Sequence, residues 1–199
     1  MKHMLALTAL TALTALAMPA AATAQALPGA IIAVVDLQKV TTECTACKSA
    51  KAALDSQVAG FKSRQQALAG PLNTEGQAIQ KEIDALGGKE PSAALQARIA
   101  AFQKKQQDAT AELSGREQQI QRNQAYISQQ VGQKLGPIYQ QVMQRHGANI
   151  LLEQGNTLAS SAALDVTAEV TAALNTALPS VQTTAPAAAA PAQQQPQSR

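Results

Sequence analysis

Two stretches, residues 43–86 and 92–142, carry apolar side chains at alternating three- and four-residue steps on either side of the breaker Gly87-Gly88-Lys89-Glu90-Pro91. From Leu54 the steps reach Val58, Phe61, Gln65, Leu68, Leu72, Glu75, Ile79, Glu82 and Leu86, seven of ten apolar. From Leu95 they reach Ile99, Phe102, Gln106, Ala109, Leu113, Arg116, Ile120, Asn123 and Ile127, again seven of ten with Ala109 counted. The stripe continues at Val131, Leu135, Ile138 and Val142. A repeat averaging 3.5 residues over this span is the pattern of a coiled coil. Gln65, Glu75, Gln106, Arg116 and Asn123 leave the seam imperfect, and the step from Ile127 to Val131 to Leu135 is a stutter. An ordinary helical bundle with a wider apolar face is the second reading. At ~1.5 Å per residue each segment spans roughly 65–75 Å, too long to enclose a compact core. Such a pair forms an antiparallel hairpin that buries its stripes against itself, a partner chain or a client.

The first residues predict export. Lys2 and His3 precede a run over residues 4–18 that is apolar except for Thr8, Thr11 and Thr14. Ala22-Thr23-Ala24 then supplies small residues for cleavage, giving a signal over residues 1–24; Ala24-Gln25-Ala26 is the alternative site. The run is too short for a permanent span, which takes ~20 residues. No Cys stands at the cleavage site, so no lipid anchor is expected, and the exported chain is expected to be soluble.

Charge excludes one class of partner. Removal of Lys2 leaves 15 Lys and Arg against 13 Asp and Glu, formally +2, and there is no Trp. This bias is mild and has no interleaved aromatic platforms, so no nucleic acid is expected as a ligand. The second segment is the most basic part, with Arg98, Lys104, Lys105, Arg116, Arg122, Lys134 and Arg145 against Asp108, Glu112 and Glu117. These charges read either as a solvated helix face or as a weak, salt-screened attraction for acidic clients.

The arms are flanked by two pieces that look like halves of one head, residues 30–42 and 143–178. Ile31-Ile32-Ala33-Val34-Val35-Asp36 is a β-branched run and hence a buried strand, and Ala148-Asn149-Ile150-Leu151-Leu152-Glu153 reads likewise. Gln154-Gly155-Asn156 is a turn, and residues 157–164 are a weaker third strand. Asp165 or Thr167 caps a short helix carrying Val166, Val170 and Leu174. Gly136-Pro137 predicts a kink where the second arm enters the head. A head of roughly 45–50 residues is near the lower limit for an independent core, and its strands have edges to cover. Both problems are solved if several copies merge their heads.

The strand start Ile32-Ala33-Val34-Val35-Asp36, the helical hairpin, Asn149-Ile150-Leu151-Leu152 and the closing Leu164-Asp165-Val166-Thr167-Ala168-Glu169-Val170 resemble the OmpH/Skp family of periplasmic chaperones. The resemblance implies a fold that is mainly α with a small β-rich head. A long antiparallel coiled-coil hairpin, or tentacle, projects from the β body of a homotrimer. It implies capture of unfolded outer-membrane barrel proteins in the cavity between three arms, without ATP. Peripheral contact with membrane or lipopolysaccharide is a further expected partnership. Client contacts are expected to be distributed over the arms, with no single residue set.

No catalytic constellation is expected, nor any cofactor or metal site, so the chain reads as a non-enzyme. One chemical motif needs weighing: Cys44-Thr45-Ala46-Cys47. Two thiols near a helix start suit a redox pair, and export allows a disulfide. No thioredoxin-like alternation surrounds them, and two ligands are too few for zinc. A structural or incidental pair, stapling head to arm when oxidised, is the leading reading. The tail, residues 179–199, carries Pro179, Pro186, Pro191 and Pro196 with Ala and Gln runs and reads as disordered. Behind the holdase stand two alternatives: a coiled-coil spacer or adaptor, and a thiol–disulfide protein using Cys44 and Cys47.

Overall fold

The computed structural model describes residues 27–186, so the expected export signal lies outside the described residues. Strand β1, Ile32–Val35, forms where the β-branched run predicts it, and Ala33, Val34 and Val35 are buried. Asp36 then ends the strand and starts a helix, its Oδ1 accepting the Lys39 N–H at 2.8 Å. That helix, α1 over Leu37–Glu43, falls where residues 30–42 were expected to hold only a strand. Cys44 closes α1 and opens α2, Thr45–Ala85. Two glycines with positive φ, Gly87 at 54° and Gly88 at 91°, turn the chain at the expected tip. Ser92 caps α3, Ala93–His146, by accepting the Leu95 N–H at 3.2 Å.

The second long helix continues past the expected end at residue 142. It also runs unbroken through Pro137, where a kink was expected. It stops at Gly147, φ 61°, where the Ala148 N–H reaches back to the Met143 carbonyl at 2.9 Å. This is the six-to-one bond of a left-handed glycine cap.

Side-chain pairs between α2 and α3 follow one rule. Gln57 meets Asn123, Arg64 meets Glu112, Glu75 meets Lys105, Gly76 meets the Phe102 ring and Glu82 meets Arg98. Each step outward along α2 is a step back along α3. The seam is unevenly closed. Ile79, Leu95, Ala109 and Asn123 are buried, whereas Leu54, Val58, Phe61, Leu72, Ile99 and Leu113 are only half-buried. Two helices alone cannot cover both stripes.

Beyond α3 the chain forms β2, Ile150–Glu153, which pairs in parallel with β1, Ile32 opposite Ile150 through Val35 opposite Glu153. A parallel pair needs a crossover, and here the whole arm is that crossover. Residues 157–164, expected as a third strand, form none. A 3₁₀ turn occupies Gln154–Asn156, where a turn was expected, another occupies Ala162–Leu164 within the expected strand, and a single bridge joins Asp165 to Val34. With β2 on one side and Asp165 on the other, β1 has no free edge in this region for another strand.

Helix α4, Thr167–Ala177, closes the head. Asp165 Oδ1 accepts the Thr167 N–H at 2.8 Å, and the Thr167 hydroxyl accepts the Asp36 N–H at 2.9 Å, so strand end and helix start are tied together. The core is more helical than the expected β-rich head. Val40, Cys44, Val131, Leu135, Ile138, Val142, Val170 and Leu174 supply most of its buried side chains, joined by Ala33 and Val35 from the sheet.

The tail departs from expectation at its start. Residues 179–186 do not leave the body; they lie back along the arm, where Val181, Thr183 and Ala185 are half-buried and Gln182, Thr184 and Pro186 are exposed. The remainder of the expected disordered tail lies outside the described residues.

Candidate functional site

A surface that handles many ligands needs apolar area, open backbone-binding groups and few fixed charges. The arm and its junction with the head supply apolar area. At that junction an open groove of about 590 Å³ is lined by Leu54, Ile127, Val131, Leu135 and Cys47, with Lys48 and Lys51 at its rim. Farther out, Leu72, Gly76, Phe102 and Gln106 line a second, shallower depression of about 550 Å³.

The basic excess of α3 is mostly spent within the fold. Lys104 pairs with Asp108 at 2.9 Å, Lys105 with Glu75 at 2.6 Å, and Arg145 with Glu169 at 2.8 Å. Glu112 sits between Arg64 at 2.8 Å and Arg116 at 2.9 Å. Hydrogen bonds from Arg64, then Arg116, lower the Glu112 carboxyl to about 2. Of these pairs, Arg64–Glu112 and Lys105–Glu75 cross between the two long helices and fix their register, while Lys48, Lys62, Lys81, Lys89 and Lys134 stand exposed outside the ion pairs.

Cys44 and Cys47 are brought together at the start of α2 and joined, S–S 2.25 Å, with Cα atoms 5.1 Å apart. Cys44 is fully buried beneath α1 and α4, and Asn175 Oδ1 accepts the adjacent Thr45 N–H at 2.9 Å. A redox centre needs an approachable sulfur; Cys44 is packed in the core, whereas Cys47 is half-buried and lines the open groove. Among the described residues no group of three or more His, Cys, Asp and Glu could hold a metal ion. No helix among them is long and apolar enough to cross a membrane.

One cluster was not predicted. Gln57 on α2 and Gln119, Asn123 and Gln130 on α3 form a row of amides beneath residues 182–185. Asn123 is 3 % exposed; its amide donates to Gln57 Oε1 at 2.7 Å, and its Oδ1 accepts from Gln119 Nε2 at 2.7 Å. The one signal for this row was Asn123 itself, a polar residue on an apolar seam. Gln57, Gln119 and Gln130 are indistinguishable in sequence from solvated glutamines.

The head presents an unfinished sheet. Strand β2 faces the core only at Leu151, while Ile150 and Leu152 remain 38 % and 37 % exposed. An isolated two-stranded sheet with an apolar open edge is a pairing surface.

Comparison with known proteins fits this architecture. The family model for Outer membrane protein (OmpH-like) matches residues 31–174, from the first strand to the last helix. A crystal structure from Caulobacter crescentus CB15, of a protein provisionally described as an outer membrane chaperone (OmpH-like), superposes with a TM-score of 0.63 at 21% sequence identity. The match covers 80% of this chain and 90% of that one, and shows that the two share a fold. No curated protein matches the sequence. A family match running from β1 through most of α4, over arm and head alike, means that the chain belongs to the OmpH-like outer membrane protein family.

Proposed function

We propose that the protein is an ATP-independent periplasmic holdase that captures unfolded outer-membrane β-barrel proteins and keeps them from aggregating. The observation that carries this reading is the arm: two helices of 41 and 54 residues whose apolar stripes are only partly covered, from Leu54 to Leu72 on α2 and at Ile99, Phe102, Leu113, Ile120 and Ile127 on α3. Family membership supports it. An unfolded barrel protein exposes alternating apolar residues and unpaired strand groups, an aggregation hazard. Weak contacts spread along a long arm shield such a chain and still let it leave.

In this reading the arm is an antiparallel coiled-coil hairpin, which the ordered α2–α3 pairs favour. Three copies join through their heads, with the open β2 edge and the groove at the arm base as their contacts, and enclose a cavity. The signal over residues 1–24 delivers the chain to the periplasm. A spacer would be served by a closed apolar seam; the buried Asn123 and the half-exposed stripe argue against it. The test is sedimentation of the exported chain with a urea-unfolded outer-membrane barrel protein diluted into nucleotide-free buffer. One client per oligomer is expected. A client that pellets alone, leaving the oligomer empty, contradicts the proposal.

A further inference from the structure

Val181 packs against the core, and beyond it the tail's hydrogen bonds to the arm run almost entirely through its backbone. Gln130 uses both ends of its amide on one residue: its Nε2 donates to the Gln182 carbonyl at 2.8 Å and its Oε1 accepts the Gln182 N–H at 3.0 Å. Gln57 Nε2 donates to the Thr183 carbonyl at 3.1 Å, and Asn123 Oδ1 accepts the Ala185 N–H at 2.8 Å. Among the described residues, the Tyr126 hydroxyl alone hydrogen-bonds a side chain of this stretch, donating to Gln182 Oε1 at 3.2 Å. Alternate residues of the segment are half-buried and exposed, as in a strand laid on a surface. Fixed amides here do what a sheet edge does when it takes up an extended peptide: they bind main-chain groups and are indifferent to most of the sequence.

We propose that Gln57, Asn123 and Gln130 form a binding site for extended polypeptide backbone, occupied in this structure by the chain's own residues 182–185. Asn123 is held in place by Gln57 and Gln119, so part of the site is organised before any ligand arrives. The occupant is tethered one short step beyond α4 and therefore competes at high local concentration. On the holdase reading, on which this part rests, the exchanging ligand is an extended segment of unfolded client. The tail then acts as a resident competitor that keeps the site covered until a client displaces it.

Proline separates the tail from the site without altering the site. Gln182→Pro and Ala185→Pro each remove the N–H that Gln130 or Asn123 accepts, while favouring the extended backbone already present before them. The full-length double variant is compared with wild type and with a Gln182→Ala/Ala185→Ser control that keeps both N–H groups. Two probes are used. One is a fluorescent peptide of residues 179–186 followed by anisotropy up to roughly millimolar concentration, the range set by tethered competitors. The other is a labelled, urea-unfolded barrel protein.

The expected result is saturable peptide binding to the proline variant only. A gain of about threefold to tenfold in its client affinity is expected, as the competition-free fraction rises. Adding Gln57→Ala and Gln130→Ala to the proline variant should abolish both, with helicity by circular dichroism unchanged. Peptide that fails to bind the proline variant, or binds it and wild type alike, overturns the site. Client affinity that stays level while the peptide binds overturns the competition. If neither protein binds client but the peptide binds the proline variant, the site stands and the holdase reading falls.

Discussion

Glu112 shows how single side chains hold the arm in register. Its carboxyl is lowered from 4.5 to about 2, first by the hydrogen bond from Arg64 on the opposite helix and then by that from Arg116. A carboxyl with a depressed folded value stabilises the fold above its unfolded value, and that contribution is lost as pH falls toward the folded one. The α2–α3 pairing should therefore loosen between about pH 4.5 and pH 2, and the change should be absent in Glu112→Gln. Thermal melts across this range check it; the pair is exposed and salt-screened, so the effect is small. In the head, Leu174 is fully buried between α3 and α1. Leu174→Ala should cost roughly 2–5 kcal/mol in urea unfolding, as cavities in packed cores do. Replacing Cys44 and Cys47 with alanine removes a very short loop closure, worth roughly 2 kcal/mol at most. The unfolding midpoint should drop while client binding is retained; a loss of binding with an intact head would favour the thiol reading instead.

At the scale of elements, the arm was the most legible part of the sequence. Its stripes, the glycine tip and the final helix are written in periodicity, positive-φ residues and caps, all of which are local. The strand Ile32–Val35 was equally plain, because a β-branched run buried on both faces has few other uses. Helix α1 was missed because its seven residues offer only Leu37 and Val40 as an apolar face, too few to reveal a period. The expected third strand failed for a non-local reason. Residues 157–164 include Leu158, but β1 is already flanked by β2 and Asp165, so no edge remains beside it. Tail docking was illegible because its recognition uses backbone atoms, and composition records only side chains. The open β2 edge yields a prediction of its own. Ile150→Lys with Leu152→Lys places two charges on that edge and should lower the oligomeric state in sedimentation velocity while preserving helicity. Unchanged assembly would move the subunit contact elsewhere.

At the scale of the whole molecule, a small packed head anchors an arm that leaves much of its apolar surface available. Stability resides in α1, α4, strand β1 and the base of α3, which supply the buried core. The outer arm is held by scattered seam residues and exposed ion pairs, so it can deform without disturbing the head. This division of labour suits a holdase, which needs a lasting anchor and yielding contacts. The direct measurement is light scattering as a urea-unfolded outer-membrane barrel protein is diluted into buffer with or without residues 25–199, in the absence of ATP. The account predicts that scattering falls with added protein and saturates near one oligomer per client. Scattering that stays unchanged while the protein is folded and oligomeric would contradict it.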